Sequence, residues 1–287
     1  MKNYHTKEIP HISSVELRVL NLNRSIEFYT KTIGMQLINQ TNRLANLGVN
    51  NTILLTLIEL ENGHTSQTRT AGLYHVAYLV PSRKELGSIL NHFIKNRTPL
   101  QGASNHGISE AIYLADPDGN GIEIAADTPD TTWKWVNGKL DILSDNGPMD
   151  VQSVLSSAKD IEFKGLDDKT IVGHLHLHVS ELINTKKFYT TILGLDTVIE
   201  IPNSAHFMSY GKYHHHIAIN VWNGKGIRPA DHNTPGLITA NLSFPSQDNL
   251  DLIEDKLNEQ NYPYTKKDHS LIVNDPSGNQ FNLVISS

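Results

Sequence analysis

Three groups of residues in this sequence have the types and spacings that chemistry needs. The first lies in residues 103–124, ASNHGISEAIYLADPDGNGIEI, where His106, Tyr113 and Glu123 surround one strand, turn and return strand. The segment 116–121 carries Pro, which fixes φ, Asp and Asn, which bond their own backbone, and Gly, which tolerates φ > 0, so it predicts a β-hairpin turn. Side chains alternate along a strand, so Tyr113 and Glu123 can share one concave face while Ile112, Ile122 and Ile124 pack behind it. A carboxylate aimed inward beside a turn is costly unless a cation, a metal or a strong donor meets it. The second group is His174, His176 and His178, whose period of two puts all three imidazoles on one face of a strand. The third is His214, His215 and His216; strand alternation sets His215 opposite its neighbours, and a slip of one residue would exchange their roles. The four strand or helix histidines His5, His11, His64 and His92 have no such company and read as hydrogen-bonded structural residues.

The elements that position these residues repeat. Residues 15–37, VELRVLNLNRSIEFYTKTIGMQL, align without a gap to 175–197, LHLHVSELINTKKFYTTILGLDT. Each reads as a short alternating strand, a helix carrying Phe-Tyr and a Gly stop at Gly34 or Gly194. Residues 72–86 and 236–250 align in the same way, as strand, Pro-Ser and helix. The hairpin also recurs: LIVNDPSGNQFNLVI at 271–285 has the same Asp-Pro-x-Gly-Asn turn, with Asn282 where Glu123 stands and Ile272 where Tyr113 stands. The sequence is thus four βαβββ units beginning near residues 12, 73, 173 and 237. The expected fold is α+β, with two curled-sheet domains at 9–126 and 169–287, each of two units. Residues 127–168 form a linker with some structure of its own: a short helix at 150–158, and Trp133 and Trp135 packing against the two halves.

Composition narrows the partners. The 287 residues include 24 basic and 30 acidic side chains, a net charge of −6, with no basic run to suit a nucleic acid. No cysteine is present, so disulfide and thiolate chemistry are excluded. The N-terminus lacks an apolar signal-like core and no apolar run is long enough to span a bilayer, which leads us to expect a soluble cytoplasmic protein without a membrane partner. Fifteen histidines are the outstanding feature.

Four such units with DPxGN turns resemble the vicinal-oxygen-chelate superfamily, which includes glyoxalases, bleomycin-resistance proteins and extradiol dioxygenases. The pattern His106-x5-Ile112-Tyr113-x2-Asp116-Pro117-x-Gly119-x3-Glu123 resembles the extradiol ring-cleavage signature. The runs at 173–179 and 213–218 resemble two-domain bacterial catechol 2,3-dioxygenases. The resemblance implies a cup around a metal held by two first-strand histidines and a last-strand glutamate. At the four first-strand positions this sequence has Ser14, His75, His174 and Thr239, and at the hairpin positions Glu123 and Asn282. The implied ligands are therefore His75, Glu123 and His174, from units two and three, whereas a typical extradiol enzyme uses units three and four. Two imidazoles and one carboxylate on one face suit Fe(II), with Mn(II) an alternative, and leave positions for a catechol and O₂. The resemblance further implies His215 as the acid/base on the last strand of unit three, and His106 and Tyr113 as hydrogen-bonding partners of the substrate oxygens. It implies an Fe(II)-dependent extradiol dioxygenase opening catechol or a substituted catechol. The alternatives are a non-catalytic binding or resistance protein that sequesters an aromatic compound, and a glyoxalase-type metalloenzyme. Four units can complete both cups in one chain, so a monomer and a homo-oligomer both remain open.

Overall fold

A computed structural model describes residues 2–66, 68–142 and 144–286. The four units appear in order. Unit one is β1 (His11–Val19), α1 (Leu22–Glu27), β2 (Gln36–Gln40), β3 (Leu44–Val49) and β4 (Thr52–Glu59). Unit two is β5 (Gly72–Leu79), α2 (Arg83–Lys95), β6 (Gly102–Asn105), β7 (Ser109–Ala115) and β8 (Gly121–Asp127). The linker holds β9 (Trp135–Val136), β10 (Lys139–Leu140), β11 (Gly147–Pro148) and α3 (Val151–Ser157). Unit three is β12 (Ile171–His178), α4 (Ile183–Lys187), β13 (Asp196–Ile201), β14 (Ala205–Ser209) and β15 (Ile217–Asn220). Unit four is β16 (Gly236–Phe244), α5 (Gln247–Glu259), β17 (Tyr264–Lys267), β18 (Ser270–Asn274) and β19 (Gln280–Ile285). The result is an α+β fold of two large curled sheets. Among the described residues no helix is long and apolar enough to cross a membrane.

The sheets do not follow the order of the halves. One runs β17-β18-β19-β16-β1-β4-β3-β2 and joins units four and one; the other runs β11-β6-β7-β8-β5-β12-β15-β14-β13 and joins units two and three. The expected segments 9–126 and 169–287 therefore do not each own a sheet. First strands pair across the halves, β1 with β16 and β5 with β12, both antiparallel. The cause lies in these strands, which carry fully buried residues such as Val15, Leu17, Val76, Leu175 and Ala240 and lie mid-sheet with a neighbour on each side.

Within each half, the repeated Phe-Tyr helix and the repeated turn meet. Asp116 Oδ1 accepts the backbone N–H groups of Asp118 and Asn120 at 2.8 and 2.9 Å, and Gly119 takes φ +87° to close the turn. The Tyr29 hydroxyl of unit one donates to Asp116 Oδ2 at 3.1 Å, and Tyr189 of unit three donates to Asp275 Oδ2 of unit four at 2.9 Å. Both tyrosines are fully buried. Each follows a helix that ends in a π-helical turn, Phe28–Ile33 or Phe188–Ile192, and the chain then reverses at Gly34 (φ +90°) or Gly194 (φ +83°). A buried phenol would lose a hydrogen bond without its carboxylate, so these pairs lock helix to hairpin at two equivalent points.

The linker matches the expected short helix: Asp150 caps α3 by accepting the Ser153 N–H at 3.0 Å. Trp133 is buried against Tyr4, Tyr213 and His214, as packing on the halves requires, while Trp135 is 37% exposed.

Candidate active site

The hairpin of unit two delivers its two polar residues as strand alternation demands. Tyr113 and Glu123 are cross-strand partners, and Ile112, Ile122 and Ile124 are buried behind them. Glu123 reaches the centre of the sheet because β8 runs parallel to β5, with Ala77 opposite Glu123. That approach depends on Gly121, where a Cβ would stand 1.9 Å from the Tyr74 carbonyl oxygen. His75 follows Tyr74 on β5. His174 enters from β12, across a register shift between Val172 and His174 that aligns it with Ala77.

These three side chains converge. His75 Nε2 lies 3.0 Å and His174 Nε2 3.3 Å from Glu123 Oε2, and one ligand atom from each residue falls within 4.8 Å of the others. All three residues are buried. Despite its closeness to the carboxylate, His75 Nε2 makes no hydrogen bond among the described residues. Burial pushes the His75 pKa down against the pull of Glu123, which favours the neutral imidazole. For Glu123 burial acts upward, but the His174 and His75 imidazoles outweigh it and hold the carboxyl well below its ordinary range. A buried carboxylate flanked by two imidazole nitrogens, one of them without a hydrogen-bond partner, is a donor set that fits a divalent cation.

The three residues open onto a cavity of about 490 Å³, within the roughly 300–1,000 Å³ usual for small-molecule sites. His106, Tyr113, His176 and His215 line it, together with Tyr74, Phe207 and Trp222. Among the described residues no lysine or arginine lines it. The linker adds Ile142 and Asn146 to the wall, a contribution without a signal in the sequence.

His215 is in the cup but not on a strand. Residues 213–216 are an irregular run ahead of β15, which corrects the expectation of a last-strand position. The three consecutive histidines separate by hydrogen bonding rather than by alternation. His216 lies 3.2 Å from the Tyr4 carbonyl through Nε2 and accepts the Tyr210 N–H at Nδ1. His214 Nε2 lies 3.0 Å from Asp127 Oδ1, and His214 Nδ1 lies 2.8 Å from His215 Nδ1. A carboxylate only accepts, so Nε2 of a neutral His214 carries its proton and its Nδ1 is bare. His215 must then donate from Nδ1, which leaves its Nε2 as an unprotonated nitrogen. The Tyr213 hydroxyl holds the other oxygen of Asp127 at 2.9 Å. The His215 ring lies 4.0 Å from that of His174, centroid to centroid.

The same reasoning assigns the His106 tautomer. Asn146 Oδ1 lies 2.9 Å from His106 Nδ1 and, as the acceptor, places the proton there; His106 Nε2 then accepts the Tyr113 hydroxyl at 2.7 Å. Asn220 bridges His178 Nδ1 at 2.8 Å and His176 Nε2 at 2.9 Å, so His176 faces the cup and His178 is tied at its edge. Asp127 and Asn220 were not singled out by the sequence, and His214 only as a neighbour of His215; an acid at the end of β8 gives no hint of a partner 87 residues away.

The outer sheet repeats the geometry without the donors. Ile272 and Asn282 are cross-strand partners, as Tyr113 and Glu123 are. There Asn282 donates to Asn241, and Asn241 donates to Ser14. Two amides and a hydroxyl stand in place of a carboxylate and imidazoles, with Asn282 Oδ1 left without a partner among the described residues.

Comparison with known proteins agrees with this architecture. Residues 9–124 match the model of the Glyoxalase/Bleomycin resistance protein/Dioxygenase superfamily. Catechol-2,3-dioxygenase of Bacillus subtilis (strain 168) is 38% identical over 283 residues, covering 97% of this chain and 98% of that protein. Biphenyl-2,3-diol 1,2-dioxygenase 2 of Rhodococcus globerulus is 33% identical over 78 residues, covering 24% of this chain and 37% of that protein. Among solved structures, a putative dioxygenase from Bacillus subtilis superposes with a TM-score of 0.62 at 15% identity, covering 98% of this chain and 86% of its own. Glyoxalase I from Zea mays superposes with a TM-score of 0.58 at 16% identity, covering 96% and 92%; both are likenesses of fold. With a relative of this identity spanning nearly its whole length, the chain belongs to the Glyoxalase/Bleomycin resistance protein/Dioxygenase superfamily.

Proposed function

We propose that this protein is an extradiol dioxygenase that opens the ring of catechol or a substituted catechol with O₂, using a divalent metal, Fe(II) by preference, held by His75, Glu123 and His174. The observation that carries the reading is the convergence of these three ligand atoms on a cavity that His215 also lines. When bound, the ion supplies a positive centre that favours the catecholate form and couples the diol electronically to O₂. The remaining steps belong to side chains. His215 Nε2 takes a proton from a catechol hydroxyl and returns one to the opening ring, with His214 and Asp127 holding its orientation. Tyr113, its hydroxyl turned toward His106 Nε2, offers its oxygen lone pairs to a catechol hydroxyl, and His106 fixes that orientation. Phe207, Trp222 and Tyr74 offer aromatic surface to the ring.

The absence of lysine and arginine from the lining argues for catechols with neutral, apolar substituents, because a carboxylate there would be buried without a countercharge. A protein that merely sequesters an aromatic compound has no need of Glu123 or of the Asp127–His214–His215 chain. The test is to load the protein anaerobically with Fe(II), add a catechol and air, and follow the yellow ring-fission product. Colour with catechol or alkylcatechols, and at least about tenfold lower kcat/KM for carboxylated ones, is the expected result. No colour with any of several catechols, with one metal retained per chain, would refute the activity.

A further inference from the structure

A second cavity lies away from the cup, where the 228–234 loop, the Asp275 turn and the start of β5 meet over Arg18. It encloses about 350 Å³. Its walls are built rather than accidental. The Ala71 N–H donates to the Arg228 carbonyl at 2.9 Å and the His64 N–H to the Asn233 carbonyl at 3.0 Å, which ties the loop to the segment leading into β5. Gly278, in the turn, lies so close to the loop that a Cβ there would meet Pro229 at 3.0 Å.

Arg18 is the unexplained residue. It is 9% exposed, and it comes from the middle of a sheet. Its Nε donates to the Thr234 carbonyl at 2.9 Å, which fixes the guanidinium plane. Among the described residues its two terminal nitrogens have no hydrogen-bond partner, and no carboxylate lies within ion-pair distance. Asp231 acts on it only at longer range, and its own Oδ1 accepts the Asn233 N–H. Among the described residues no aspartate or glutamate lines the cavity, while His232 and the polar side chains of Asn274 and Gln280 do. A buried cation without a countercharge is costly, and water can satisfy its N–H groups but not its charge. A guanidinium held by Nε presents its two terminal nitrogens as a fork, which matches two oxygens of one carboxylate or phosphate.

We propose that this cavity is a binding site for a small oxyanion, a carboxylate or phosphate group gripped by the terminal nitrogens of Arg18. The site is independent of the dioxygenase reading, since it shares no residue with the cup.

Isothermal titration of the full-length protein with inorganic phosphate, sulfate, acetate and succinate tests it and separates the two sources of the chemistry. Expected is saturable binding of at least one of them with Kd on the order of 1 mM or tighter. Arg18→Lys should weaken that binding at least about tenfold, because a point charge replaces the fork, and Arg18→Met should abolish it. His174→Ala, in the other cavity, should leave it unchanged. The proposal is overturned if the wild-type protein binds none of the four anions. It is equally overturned if Arg18→Lys binds as tightly as wild type, or if binding disappears with His174→Ala instead. The wild-type and lysine arms decide the matter even where the methionine variant does not fold.

Discussion

The Tyr113 hydroxyl donates to His106 Nε2 at 2.7 Å, and Asn146 on the other ring nitrogen fixes the direction of that bond. Burial, with Glu123 nearby, pushes the Tyr113 phenol well above its usual pKa, so it remains a donor throughout the working range. Tyr113→Phe should therefore lower kcat/KM for catechol by about 10²-fold while metal content is unchanged. Steady-state ring-fission assays beside metal analysis measure both, and an unaltered kcat/KM would remove Tyr113 from the reaction.

Glu123, His75 and His174 should each be required for metal. Replacing any one by Ala leaves two ligands, and metal content after gel filtration should fall to a small fraction of wild type. Asn282→Ala should retain full metal, because its hydrogen bond runs to Asn241 in the outer sheet. Metal lost from the Asn282 variant and kept in the Glu123 variant would move the centre to the other cup.

Asp127 touches neither the proposed metal nor the cavity lining, yet it sets the tautomers of His214 and His215. Asp127→Asn offers either an acceptor or a donor to His214 and no longer dictates which nitrogen of His215 is bare. The expected result is a fall in kcat of about 10²-fold or more with KM and metal content near wild type, together with a changed pH profile. A variant with unchanged kcat and only a lower melting temperature would assign Asp127 a structural role alone.

Acid should destabilise the metal-free protein earlier than carboxylate titration would. Burial pushes His5 down to about 4, and it holds His216 well below the ordinary imidazole value. Between the folded and unfolded pKa the unfolded chain binds more protons, so stability is complete above roughly pH 6.5 and declines as pH falls below it. Melting temperatures of chelator-treated protein should drop by several degrees from pH 7.5 to 5.5, and His216→Gln should flatten that slope. A melting temperature constant over that range would contradict the assignment.

What could be read from the sequence is what periodicity and repetition encode. The four units, the DPxGN hairpins and the shared face of Tyr113 and Glu123 are local, because turn chemistry and strand alternation act over a few residues. The convergence of His75, Glu123 and His174 follows from which first strands lie side by side, and only the family resemblance pointed to it. Alternation sets His215 on a strand, whereas it lies in an irregular run whose neighbours bond Asp127 and Tyr4. The Asp127–His214–His215 chain was invisible because it joins residues far apart in sequence.

Since first strands pair across the two halves, neither half holds a finished site. Residues up to 168 would carry His75 and Glu123 with the partner edge of β5 bare, and residues from 169 onward would carry His174 and His215 with no acid. Expressed singly, each fragment would present open strand edges to its neighbours and precipitate; produced together in one cell, the two pieces have complementary seams and a reason to find each other.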